Sequence, residues 1–123
     1  MDTSDLQPHG YVLAVHDLVG SANYFVDVLG FSRDWADGDR WQALLRGNVR
    51  LMLGECPDAL SVSELGDHSY FGFFATGDVD RLHAEFAERG ALILSAPAYK
   101  LWGWREMAVR TPEGHRMMFA QLL

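Results

Sequence analysis

Tyr99, Trp102 and Trp104 bracket Lys100 and Gly103 in an irregular stretch just ahead of a strand-like run. Rings of that size beside a cavity could stack on a planar or cationic molecule, each good contact contributing roughly 0.5 to 2 kcal/mol. The same rings also serve to lid a core or to fill a contact between two copies of a chain. Trp35 and Trp41, on either side of the acidic Asp37-Gly38-Asp39-Arg40 turn, carry the same pair of readings. Arg50, Glu106 and Arg116 are charged residues inside strand-like runs. Arg50 and Arg116 alternate with Met52 and Met118, so each arginine shares its methionine's side of the sheet. There they could orient a ligand carboxylate or pair with Glu106, or they could reach past the strand ends to water. With Glu106 unpaired such a site prefers a cation; with Arg50 dominant it prefers an anion.

The five histidines, His9, His16, His68, His83 and His115, show neither HxH nor HxxxH spacing. His16 at a strand end, His83 on a helix face and His115 in the last turn read as exposed or hydrogen-bonding side chains. Cys56 precedes Pro57 and has neither a CxxC partner nor a neighbouring histidine, which argues against a reactive thiol. No GxSxG, phosphate-cradling glycine loop or dinucleotide fingerprint occurs, so nucleophilic catalysis and nucleotide binding gain no support.

The elements that position these residues fall into two similar halves. Tyr11 to Val15 is a short run of β-formers, with Asp17 after it as a turn residue and cap. From Ser21 to Leu29 the residues Ala22, Phe25, Val26 and Leu29 recur at helical spacing, and Gly30 stands where a left-handed residue closes a helix. Phe31 to Trp35 reads as a strand, and Trp41 to Leu53 reads as a hairpin hinged on Gly47-Asn48.

The second half repeats the order. Tyr70 to Ala75 predicts a strand, and Asp78 caps a helix with Val79, Leu82 and Phe86 on one face and Gly90 at its end. Leu92 to Leu94, a loop containing Pro97, Trp104 to Arg110, the Thr111-Pro112-Glu113-Gly114 turn and His115 to Gln121 follow. Each half is therefore a strand, a helix and three strands, with a linker of about residues 55–69 between about 9–54 and about 70–123. Neither half can easily bury both faces of its sheet alone, so the prediction is one α+β domain over 1–123. In it, two tandem βαβββ modules share a curved mixed sheet with helices on the outer side.

Composition narrows the function classes. With 123 residues, 49% hydrophobic and 12% aromatic, the chain can bury a core, which excludes disorder, collagen-like repeats and a disulfide-stapled miniprotein. Ten Lys and Arg against 17 Asp and Glu give a net charge of −7, the wrong sign for gripping phosphate backbones. Nucleic acid is not an expected partner, and the acidic balance mildly favours cationic ligands. No apolar run approaches a membrane span, the start Met1-Asp2-Thr3-Ser4-Asp5 is unlike a signal peptide, and a lone Cys56 suits a reducing compartment; the expected location is the cytoplasm.

The order of these signals resembles the vicinal oxygen chelate superfamily, which includes glyoxalase I, the extradiol dioxygenases, the fosfomycin-modifying enzymes and the bleomycin resistance proteins. The resemblance covers essentially the whole chain. Its carriers are Asp17-Leu18, the helix end Leu29-Gly30-Phe31, Arg46-Gly47-Asn48-Val49, Gly77-Asp78-Val79-Asp80 and Val109-Arg110-Thr111-Pro112-Glu113-Gly114-His115, with Thr111 where the family's closing turn has Asp. Leu29 to Asp34, Arg46 to Leu51 and Trp102 to Glu106 are most similar to the bleomycin resistance branch. That resemblance implies a cup-shaped sheet and a homodimer whose ligand lies in crevices between subunits. It also implies an N-terminal strand that some members exchange near a proline, a place taken here by Pro8.

Many of the superfamily's enzymes hold a divalent metal in the cup with His and Glu from four strands. Counted from Asp17, the first of these positions falls on Gly10, with His9 one residue away; counted from Asp78, the third falls on Phe71, or on Tyr70 with Gly77 as an insertion. Met52 and Met118 take the two carboxylate positions. Thioethers and rings do not hold Mg²⁺, Mn²⁺ or Zn²⁺, so neither a metal in the usual place nor another cofactor is expected. The expectation is a homodimer that sequesters an apolar or aromatic small molecule, cationic or not, rather than turning it over. The alternative is a metal-dependent lyase, isomerase or dioxygenase whose displaced ligands are His9, His68 and Glu106, brought inward by a one-residue bulge. A third reading is a regulatory or interaction domain with a collapsed cup.

Overall fold

Asp17 and Asp78 set the two helices, because each carboxylate takes an orphan backbone donor of the first turn: Gly20 N at 3.1 Å and Arg81 N at 3.0 Å. The computed structural model describes residues 6–123, and the acidic start Met1 to Asp5 lies outside them. The first module comprises β1 (Tyr11–Val15), α1 (Leu18–Asp27), β2 (Ser32–Asp37), β3 (Trp41–Arg46) and β4 (Val49–Glu55). After a short 3₁₀ turn at Val62–Leu65, the second comprises β5 (Tyr70–Ala75), α2 (Val79–Glu88), β6 (Leu92–Tyr99), β7 (Trp104–Arg110) and β8 (Arg116–Leu122). Helix α1 starts at Leu18 rather than Ser21, since the Asp17 cap outweighs the apolar spacing further along. Gly30 adopts φ +77°, the left-handed turn that its position demands.

The α+β fold of two tandem βαβββ modules is as expected, its strands forming two four-stranded mixed sheets ordered β1-β4-β3-β2 and β5-β8-β7-β6. One expectation needs correction. The region around Pro97 is not a loop: β6 runs from Leu92 to Tyr99 through it. Strand β6 is an edge strand whose register shifts between Ser95 and Ala98, and there a residue without an N–H costs no ladder bond. Within each sheet the first strand pairs parallel with the last, and the remaining pairs are antiparallel.

Strand alternation divides each sheet into two faces. Leu51 and Leu53 of β4 join Leu13, Val15, Phe25 and Leu44 in the same core cluster as Phe74, Phe86, Met107, Val109, Met117 and Phe119 of the second module. The helix-bearing sides of both sheets thus merge into one core. Arg50 and Met52, and in β7 Glu106 and Ala108, take the other side of their strands, away from the described helices. Among the described residues no helix is long and apolar enough to cross a membrane.

The seam between modules is polar and specific. Glu113, in the β7–β8 turn, accepts hydrogen bonds from His16 N (2.6 Å), Asp17 N (3.0 Å) and Ser21 Oγ (2.7 Å) at the start of α1. His115 Nε2 donates to Ala14 O of β1 at 2.9 Å, while Thr111 Oγ1 accepts from His115 N at 3.2 Å. Thr111 thereby does, with a hydroxyl, the turn-closing work that an Asp side chain does elsewhere. On the far side Arg46 bonds both carboxylate oxygens of Glu85 on α2 (2.7 and 3.1 Å) and the Leu29 carbonyl (2.8 Å).

This seam makes stability depend on pH. Burial holds the His115 imidazole below its ordinary 6.5, with the Ala14 carbonyl opposing it. The unfolded chain takes up that proton more readily, so the stability contributed by neutral His115 is complete above about pH 6.5 and is lost as pH falls below it. Burial opposes ionisation of Glu113, but the N–H groups of His16 and Asp17 and the Ser21 hydroxyl outweigh it and hold the carboxyl below 4.5. That contribution is lost in turn as pH falls through the more acid range. Calorimetric scans should therefore show the melting temperature already falling below about pH 6.5, with that upper part of the slope reduced in His115→Gln.

Candidate functional site

The helix-free face of the first sheet carries Trp41, Arg50 and Met52. Met52 lies opposite Ala43, and Trp41 lies across Gly54, where a Cβ would come within 2.9 Å of the indole. Arg50 hydrogen-bonds the Asp34 carboxylate of β2, so its charge is matched within the sheet. Beside Trp41, an open hollow of about 480 Å³ is lined by Asp39, Arg40, Gly54, Glu55 and the exposed Cys56. Trp35 sits at the β2 irregularity, partly exposed, its carbonyl accepting from the Gln42 side-chain amide at 3.2 Å.

The helix-free face of the second sheet is richer. Tyr70, Ser95, Lys100, Glu106, Ala108 and Met118 line a recess of about 170 Å³. Glu106, only 7% exposed, accepts a hydrogen bond from the indole N–H of Trp102, whose ring is 63% exposed at the tip of the β6–β7 turn. Trp104, two residues before Glu106 on β7, meets Phe73 edge to face at 5.4 Å. The Arg116 guanidinium lies over the Tyr70 ring at 5.9 Å and donates to Asp67 O at 3.3 Å.

Two residues read from the sequence as candidates are turned away from this face. Tyr99 pairs with Arg105, whose guanidinium lies 4.5 Å over its ring and also binds Asp80 of α2 at 2.9 and 3.0 Å. Tyr99 is therefore on the helix-bearing side. Phe71 packs against Tyr11, Phe74 and His115. The cause is a register shift between Tyr70 and Gly72, which leaves Tyr70 in the recess and turns Phe71 inward. Phe73, half exposed beside Trp104, is the aromatic that sequence reasoning passed over. Simple alternation would have put it on the same side as Phe71, and only the bulge separates them.

Among the described residues, the hollow at Trp41 and the recess at Glu106 are each lined by one module. Between the modules runs a groove of about 430 Å³ lined by Phe31, Arg46, Val49, Phe73, Leu82 and Phe86.

The residues that would hold a displaced metal are not brought together. His9 lines a recess with Gly10, Tyr11 and Arg50; His68 is 98% exposed in its side chain, 3.6 Å from Asp67; Glu106 is engaged by Trp102. Among the described residues no group of three or more His, Cys, Asp or Glu side chains could hold a metal ion. The β1–β4 pairing is regular from Tyr11 onward, so no bulge there turns His9 inward.

A family model described as the Glyoxalase/Bleomycin resistance protein/Dioxygenase superfamily matches residues 7–119. Among solved structures, TioX from Micromonospora sp. ML1 is 29% identical, with a TM-score of 0.73 over 95% of this chain and 100% of that one. The bleomycin-binding protein from bleomycin-producing Streptomyces verticillus, solved with copper(II)-bleomycin, is 26% identical, with a TM-score of 0.70 over 93% of this chain and 96% of that one. TnmS3, an antibiotic-binding protein from Streptomyces sp. CB03234, shares the fold at 21% identity and a TM-score of 0.69, covering 95% of this chain and 98% of that one. Among curated proteins none matches the chain significantly.

Proposed function

The chain belongs to the Glyoxalase/Bleomycin resistance protein/Dioxygenase superfamily, and from that premise we propose that it sequesters an apolar or aromatic small molecule, without a metal of its own, in the cytoplasm. The observation that carries this reading is the lining of the recess. Met118 and Tyr70 stand beside Glu106 where a metal site would need several hard ligands, and Met52 takes the corresponding place on the other sheet. A thioether is a soft, adaptable filler of irregular shapes and a poor ligand for the divalent cations that polarise vicinal oxygens. Such a face favours affinity over turnover. The bleomycin-binding protein from Streptomyces verticillus, solved with copper(II)-bleomycin, supports the same class of function.

The site is completed by a second copy of the chain. A recess of 170 Å³ is small beside the roughly 300–1,000 Å³ of ordinary small-molecule sites, and its ring-bearing counterpart lies on the other sheet. A two-fold dimer that laid the Trp41, Arg50 and Met52 face of one copy over the Trp102, Trp104 and Glu106 face of the other would give two equivalent, two-walled crevices.

The test uses chelator-treated full-length protein and a panel of planar heteroaromatic compounds, metal-free bleomycin among them, read by melting temperature and tryptophan quenching. At least one compound should raise the melting temperature, and sedimentation should give a dimer. Trp102→Ala should weaken that compound by about 1–2 kcal/mol with the fold intact. A panel without a binder, or affinity unchanged within about 0.5 kcal/mol in Trp102→Ala, would overturn the assignment.

A further inference from the structure

We propose that the recess on the second sheet is a cation subsite, in which Glu106 is the counter-charge for a positively charged group carried by an aromatic ligand. The proposal rests on the binding function above and narrows its ligand class. The sequence left two charges competing for that role, Arg50 and Glu106, and their partners separate them. Arg50 is neutralised by Asp34 within its own sheet. Arg46 is paired with Glu85, and Arg105 with Asp80. Glu106 has no such partner: among the described residues no Lys, Arg or His nitrogen lies within 4.0 Å of its carboxylate. The hydrogen bond it receives from a described residue is the neutral Trp102 N–H, whereas a carboxylate has about four acceptor sites.

A carboxylate this enclosed, with one neutral donor, keeps acceptor sites free for an incoming cation. Its surroundings suit that cation. Tyr70 offers a ring at the recess wall, Trp102 is hydrogen-bonded to Glu106 itself, Trp104 stands two residues before Glu106 on the same side of β7, and Met118 adds a polarizable thioether. The volume fits a compact charged group, such as an alkylammonium or an aromatic cation's charged edge, while the neutral part of the ligand extends across the open face. Lys100 lines the same recess, but it is an exposed residue of the β6–β7 turn, and its flexible stem lets the ammonium turn out to water. Arg116, the other nearby cation, is held over Tyr70 and against the Asp67 carbonyl.

Three probes of nearly equal shape test the charge directly: N-methylquinolinium, 1-methylnaphthalene and naphthalene-1-carboxylate, titrated into the full chain with tryptophan fluorescence as readout. The cation should bind about tenfold tighter than either of the others, which is roughly 1.4 kcal/mol. In Glu106→Gln that preference should collapse to less than about threefold, and in Lys100→Gln the affinity for the cation should rise. Trp102→Phe, which removes the N–H but keeps a ring, should retain the cation preference, so the conclusion survives if Glu106→Gln does not fold. Equal binding of the three probes, a preference for the carboxylate, or a cation preference that persists in folded Glu106→Gln would overturn the subsite and leave the binding function standing. Failure of all three probes in the wild-type chain, together with failure of the wider panel, would instead overturn the binding function.

Discussion

Phe86→Ala is expected to destabilise the fold by about 3–5 kcal/mol, a large part of the roughly 5–15 kcal/mol available to a domain of this size. Phe86 is fully buried on α2, meets Phe119 edge to face at 5.2 Å and carries the Arg46 guanidinium over its ring at 5.7 Å. Truncation empties a space shared by both modules, and the cavity cost adds to the lost transfer energy. It also removes the apolar support beneath the Arg46–Glu85 ion pair. The half-exposed Phe73 is the control: Phe73→Ala should cost less than about 1 kcal/mol. Urea unfolding of the two variants measures both values, and similar costs would mean that the core does not run through α2 as described.

Glu113→Ala should cost about 2–4 kcal/mol, because it strands the N–H groups of His16 and Asp17 and the hydroxyl of Ser21 together at a partly enclosed helix start. Glu113→Gln keeps an acceptor but loses the charge, and about half of that cost should return. The local signature is faster amide exchange across Asp17 to Ser21 at neutral pH, where the Asp17 and Glu55 carboxylates, on Gly20 N and Leu18 N, must then hold the start of α1. A small effect in Glu113→Ala, with unchanged exchange, would mean that water replaces the carboxylate at the seam.

Both variants act on contacts between modules, and these were the least legible part of the chain. Local signals carried the order of elements. Asp17 and Asp78 each satisfy a first-turn donor, Gly30 and Gly90 adopt positive φ, and Gly47-Asn48 closes the hairpin, all from residues within a few positions of one another. What decided the site was non-local. Arg50 of β4 is neutralised by Asp34 of β2 across the intervening strand β3, and the bulge that separates Tyr70 from Phe71 follows from pairing with β8. Tyr99 was drawn away by Arg105 and Asp80, a contact set by the docking of α2. The hydrogen bond from Trp102 to Glu106 spans only four residues, yet it needs the turn between β6 and β7 to fold the indole back over its own strand.

Pro97 illustrates the same limit from the backbone side. A proline argues against a strand only if its strand is internal, and the sheet order places β6 at the edge. The order of strands within each sheet was likewise hidden, because local periodicity reports which side of a strand is apolar and says nothing about which strands share a ladder.

The central claim is that this fold holds an aromatic ligand by itself, with no metal in its cup. Its most direct test is the melting temperature of chelator-treated, untagged protein, titrated in parallel with Mn²⁺, Ni²⁺, Zn²⁺ and Fe²⁺ and with the planar aromatic panel. A compound present at a hundredfold excess over its Kd should stabilise the fold by about 2.7 kcal/mol, a shift of several degrees. That rise is expected with an aromatic compound, and no metal should give a saturable response. Saturable stabilisation by a metal, lost in His9→Ala or His68→Ala, together with no response to the aromatic panel, would contradict it.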